Sequence, residues 1–88
     1  MRMSERELKK LGKVAHYFTR IGVAVVELTD TLSVGDRILF EGETSDFEQT
    51  VASMQIEHED IMTAKGGQSI GLKVERRVRE GDKIYKIV

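Results

Sequence analysis

From Gly12 to the end of the chain, apolar residues recur every second position, the period of a strand with one buried face. Residues 13–18 and Val23–Leu28 are rich in Val, Tyr, Phe and Ala, with Gly22 between them. In Arg37–Glu41, Ile38 and Phe40 are expected inward and Arg37 and Glu41 outward. Ala52, Met54 and Ile56 alternate against Ser53, Gln55 and Glu57, and Ile70, Leu72 and Val74 against Gly71, Lys73 and Glu75. Residues 83–88 read as a sixth strand, apolar on both faces. Ser33-Val34-Gly35-Asp36, Glu41-Gly42-Glu43, Lys65-Gly66-Gly67-Gln68 and Glu80-Gly81-Asp82 punctuate these runs as turns. Six short strands at this spacing predict a small barrel or sandwich. Closure into a barrel is the expected form, because an open antiparallel sheet exposes two edges. Val14, Val25, Ile38, Phe40, Val51, Met54, Ile70, Leu72 and Val74 are the expected core.

The first eleven residues break the pattern. Ser4-Glu5-Arg6-Glu7 fits a capping box, in which Ser4 accepts from the Glu7 amide and Glu7 reaches back. Leu8 and Leu11 would share one helical face, and Gly12 supplies a stop. Residues 1–11 therefore read as a short helix or a flexible tail, and residues 12–88 as the β domain.

Eighty-eight residues make one domain and leave little room for a nucleotide-binding fold or an enclosed cleft. Cysteine is absent, which removes disulfides, thiolate metal sites and cysteine nucleophiles. No segment approaches the apolar length of a membrane span or a signal peptide, so a cytoplasmic location without membrane association is expected. The net charge of −1 hides an uneven distribution. Residues 1–20 carry six Lys/Arg and two acids; residues 21–60 carry one and ten; residues 61–88 carry seven and three. Basic ends around an acidic middle suggest a bipolar surface.

Two turns echo one another: Val34-Gly35-Asp36-Arg37-Ile38 and Glu80-Gly81-Asp82-Lys83-Ile84. In each, an Asp is placed to bond the turn backbone just before a strand begins. Together with Ala64-Lys65-Gly66-Gly67-Gln68-Ser69-Ile70-Gly71-Leu72, these turns resemble the second domain of elongation factor Tu and its relatives. More closely, the chain resembles small stand-alone proteins called translation elongation factor-like, and barrels appended to some peptidase-type RNA-modifying proteins. The resemblance covers residues 12–88 and implies a six-stranded antiparallel Greek-key closed barrel of the translation-protein type. It also implies contact with RNA or a neighbouring domain. A G-x-x-x-x-G-K-[ST] loop is missing, so no GTPase activity and no bound GTP follow from it.

Candidate chemistry is sparse. Gly66-Gly67-Gln68 matches the tripeptide with which release factors hydrolyse peptidyl-tRNA, but a hairpin asks for those glycines without any chemistry. Glu57-His58-Glu59-Asp60 crowds acids around a histidine, yet successive residues of an extended segment point opposite ways and do not converge on a metal. No serine–histidine–acid set has the sequence of a nucleophile elbow. The expectation is a non-catalytic module with no cofactor and no metal. Lys73, Arg76, Arg77 and Arg79, with Lys10, Lys13 and Arg20, are the expected nucleic-acid-binding residues, and Tyr17 is placed to stack on an unpaired base. The expected partner is RNA or the ribosome. The alternative is docking to a larger RNA-modifying or translation-related protein.

Overall fold

The structure, a computed structural model, describes residues 7–43 and 45–88. Ten strands follow one another: β1 (Leu8–Phe18), β2 (Val23–Leu28), β3 (Leu32–Ser33), β4 (Arg37–Glu41), β5 (Asp46–Thr50), β6 (Met54–Ile56), β7 (Glu59–Ile61), β8 (Thr63–Ala64), β9 (Ser69–Lys73) and β10 (Lys83–Ile87). Among the described residues there is no helix. Eight strands form one antiparallel sheet in the order β5-β4-β10-β1-β2-β9-β6-β7, and β3 pairs with β8 in a separate two-stranded ladder.

Three expectations need correction. The large sheet is not closed, since its end strands β5 and β7 do not pair with each other. Nor are there six strands: β3, β5, β7 and β8 are additional, and β5 (sequence DFEQT) escaped notice because only Phe47 in it is apolar. The expected N-terminal helix is also absent from residues 8–11, which begin β1 and pair Leu8 with Ile87, Lys9 with Lys86 and Lys10 with Tyr85. A helix of two turns is marginal in water, whereas a ladder with β10 satisfies the same backbone groups and seats Leu11 in the core. Ser4 of the expected capping box lies outside the described residues.

The core is built from the inward face of each strand. Leu11, Val14, Ala24, Val26, Ile38, Phe40, Met54, Ile70, Leu72 and Ile84 are essentially inaccessible to solvent. Val25, expected inside, instead faces outward and is only partly covered. The register explains the difference. β2 sets Ala24 opposite Leu72 and Val26 opposite Ile70, and directly opposed residues share a face. Phe47 on β5 stacks on Phe40, with ring centroids 4.9 Å apart and planes inclined by 13°.

The two echoing turns share a mechanism. Asp36 accepts the Ser33 amide at 2.9 Å, and Asp82 accepts the Arg79 amide at 2.9 Å, each bonding backbone three residues earlier. Asp82 is buried and also takes the Ser45 hydroxyl, while Asp36 faces the Lys86 amine at 3.5 Å. The second turn is tied to β1 as well: Gly81 N donates to Val14 O, and Val14 N to Asp82 O.

Between β5 and the chain leaving β9, where no ladder forms, the buried Gln49 amide bridges the gap. Its Nε2 donates to Lys73 O at 2.9 Å, and its Oε1 accepts from Glu75 N at 2.9 Å.

Candidate ligand-binding groove

The segment after β9 shapes one wall of an open groove. Val74 is fastened by its amide to Gly22 O, Val78 is buried, and Asp82 is held in its turn. Buried side chains at 74, 78 and 82 turn the residues between them outward, so Arg77 and Arg79 stand in solvent. The Asp82 turn bond is legible in the sequence, but Val78 is not, because a single buried valine among charges shows no period. An open groove of about 720 Å³ lies between this segment, Tyr17 and Thr19 of β1 and its turn, and Gly42 and Glu43 after β4. Glu80 on its wall contacts the His16 imidazole, Oε2 to Nδ1 at 2.9 Å, and that ring meets Phe18 edge-on at 4.4 Å.

The expected binding residues do not form one cluster. Tyr17, Arg77 and Arg79 line the groove. Lys10 and Lys13 line a separate depression of about 310 Å³ with Lys83 and Glu27. Arg76 lies over the Phe47 ring, 6.0 Å from its centroid, beside Asp46 and Glu75 at the β5 edge. Lys73 donates its amine to Ile21 O at 2.9 Å, which fastens the β1–β2 turn. Arg20 sits on that turn with Phe18 and Ile21, both left largely exposed. Charge counting along the chain merged side chains that leave the fold in different directions.

The two acid- and glycine-rich motifs have structural roles. Gln68 Oε1 accepts the Lys65 amide at 2.8 Å, Gly67 N donates to Leu28 O, and Gly67 has φ +93°. A Cβ on Gly66 would sit 2.8 Å from Thr29 O, so backbone proximity demands glycine there. Gln68→Ala should therefore cost only about 0.5–1.5 kcal/mol, the worth of one exposed turn bond, in a thermal melt. A loss of several kcal/mol would show that Gln68 does more than close its turn. Glu57 and His58 form the tip of the β6–β7 hairpin with φ of 52° and 68°, the left-handed pair that a two-residue turn of type I′ needs. Gln55 binds Asp60 across that hairpin at 2.9 Å. Among the described residues, no three His, Asp or Glu side chains are grouped to hold a metal ion. Asp30, which does not line the groove, is held below its usual carboxyl pKa by the Thr31 amide and by Lys9. No helix among the described residues is long and apolar enough to cross a membrane.

No family model matches the chain. Over 77 residues it is 42% identical to an uncharacterized protease of Methanocaldococcus jannaschii, covering 86% of this chain and 19% of that protein. Over 83 residues it is 35% identical to a collagenase of Porphyromonas gingivalis, covering 92% of this chain and 23% of the relative. The chain thus spans about a fifth of the length of the curated relatives it matches. Among solved structures, the C-terminal domain of a putative U32 peptidase from Geobacillus thermoleovorans superposes with a TM-score of 0.83 at 25% identity, covering 89% of this chain and 91% of that one. Its selenomethionine variant gives 0.82 at 24% identity, covering 86% and 96%. These findings overturn the resemblance to translation elongation factors, and with it the assignment as a translation or RNA-binding module. The relatives are named as a protease and collagenases, and the matching fold is that of a small C-terminal domain of a putative U32 peptidase.

Proposed function

We propose that this chain is a non-catalytic accessory β domain that works beside the larger catalytic region of a U32-type peptidase. The observation that carries the reading is the pairing of two coverages. The chain accounts for nearly all of a solved C-terminal domain, yet for about a fifth of the relatives named as proteases. The candidate chemistry is consistent with an accessory role: the Gln68 oxygen is spent on its own turn, and Asp60 of the β6–β7 hairpin accepts the Gln55 amide. In this reading the domain docks on its catalytic neighbour and meets the same polypeptide substrate.

Co-expression tests the reading. The chain is made as a separate polypeptide with the part of the Methanocaldococcus jannaschii protease outside the matched 77 residues. The two should co-elute as a complex in size-exclusion chromatography, and the chain alone should leave labelled gelatin uncut. Independent elution overturns docking. Gelatin cleavage by the purified chain overturns the non-catalytic role.

A further inference from the structure

Strand β1 runs on past its partner. Its ladder with β10 ends at Lys13 and Lys83, and the bonds between Val14 and the Gly81-Asp82 turn are the last on that side. Beyond a register shift at Ala15, His16, Tyr17 and Phe18 pair only with β2. Phe18 O is turned toward the hairpin, where it accepts Gly22 N. Neighbouring residues of a strand direct their backbone groups to opposite sides, so the Tyr17 N–H and C=O face away from β2, toward the groove. Among the described residues no backbone bond is made from that edge beyond Val14. An unpaired strand edge lining a groove is a template for one more strand.

The groove walls indicate what that strand would carry. Arg77 and Arg79 have no hydrogen-bonded or ionic side-chain partner among the described residues. Of the acids alongside them, Asp82 is buried in its turn, Glu80 contacts His16 through Oε2, and Glu43 also lines the groove. Tyr17 and Thr19 also line a second depression at the hairpin tip, with Arg20, Phe18 (45% exposed) and Ile21 (57% exposed). Free guanidinium groups therefore stand beside exposed apolar side chains along one open edge. We propose that the β1 edge at residues 15–18 accepts an extended polypeptide segment as an added strand, its acidic side chains meeting Arg77 and Arg79 and its apolar ones the Phe18–Ile21 tip. The choice of a polypeptide over other anions rests on the accessory-domain reading; the edge, the groove and the charge do not.

The test uses the chain alone, so peptide capture and complex formation with a catalytic region can fail separately. The probe is an end-capped peptide of alternating Glu and Leu, about eight residues long, enough to run roughly 26 Å when extended. In a ¹H–¹⁵N NMR titration the Tyr17 amide should shift, and its hydrogen exchange should slow at saturation. Arg77→Gln with Arg79→Gln, both at exposed positions, should weaken binding about tenfold or more, as expected for losing charge-assisted bonds. The same peptide with Lys for Glu, or N-methylated at alternate residues so that it cannot join a ladder, should not bind. The proposal is overturned if Tyr17 stays unperturbed up to about 1 mM peptide, the weak end of specific recognition. Equal binding by the Lys peptide, the N-methylated peptide or the double variant also overturns it.

Discussion

Gly12→Ala should unfold the protein or leave it barely folded. Gly12 is buried between two neighbours, opposite Ile84 on β10 and Leu28 on β2, directly after the register shift that follows Lys10. A Cβ there would lie 2.1 Å from Glu27 O and 3.1 Å from the carbon of the same carbonyl. No side chain can swing aside, because the obstacle is the backbone of β2, itself held by β9. Relief requires β1 and β2 to separate at the centre of the sheet. Overpacking in a core usually costs about 1–3 kcal/mol and more where the surroundings cannot move, so a loss above roughly 3 kcal/mol is expected here. In a domain of this size that lowers Tm by roughly 12–24 °C. Gly35→Ala is the control: its φ of +99° is strained for alanine, but nothing lies within 4 Å of the new methyl. That variant should lose only about 1–3 kcal/mol from backbone strain. A Gly12→Ala protein melting within a few degrees of its parent would mean that β1 and β2 leave room for a methyl group at Gly12.

The parts of this fold that could be read from sequence are those set by local periodicity and turn geometry. Ile38, Phe40, Ile70 and Leu72 announce their burial through alternation, and all four lie in the core. The Gly35-Asp36 and Gly81-Asp82 turns follow from chemistry contained in four residues, and both form as a carboxylate accepting an amide three residues back. The same features misdirected the functional reading. Glycines at φ +99° and +91° followed by Asp report what a chain needs to enter a strand after a tight turn. Any sheet protein with such entries can show them in the same order, whatever it binds. Val25 went wrong for a different reason. In Val23–Leu28, Val25 and Val26 are both apolar and lie on opposite faces, so only pairing with Ile70 on β9 decides which is inside.

The groove was legible residue by residue and illegible as an arrangement. Tyr17, Arg77 and Arg79 were each singled out, but sequence proximity also gathered Arg76 and Lys73, which face Phe47 and the Ile21 carbonyl. What separates them is Val78, a lone valine between charged residues, whose burial fixes the direction of its neighbours. The open edge of β1 depends on where β10 stops pairing with it, a long-range property carried by no short motif.

Gln49 is the other residue whose importance no pattern announced, and removing its amide should cost about 2–4 kcal/mol. The side chain is 2% exposed and makes two backbone contacts that no strand supplies, to Lys73 O and from Glu75 N. It acts as a spare peptide group, joining the edge strand β5 to the chain leaving β9 across an unpaired seam. Gln49→Leu keeps the volume close but leaves a partly buried carbonyl and amide without partners, each worth about 1–3 kcal/mol when stranded, and relaxation of the seam recovers part of that loss. Urea unfolding should show a lower midpoint, and the Glu75 amide should exchange faster with solvent while core amides such as Leu72 are less affected. Gln49→Glu separates hydrogen bonding from shape. Its carboxylate still accepts Glu75 N but cannot donate to Lys73 O, and burial disfavours the charge, raising the folded-state pKa above the unfolded value. The penalty of that variant relative to wild type is therefore full at pH above the raised folded value and is relieved as pH falls through it, since the protonated acid regains a donor. A Gln49→Leu protein as stable as its parent, with Glu75 equally protected, would show that the seam is held by packing alone.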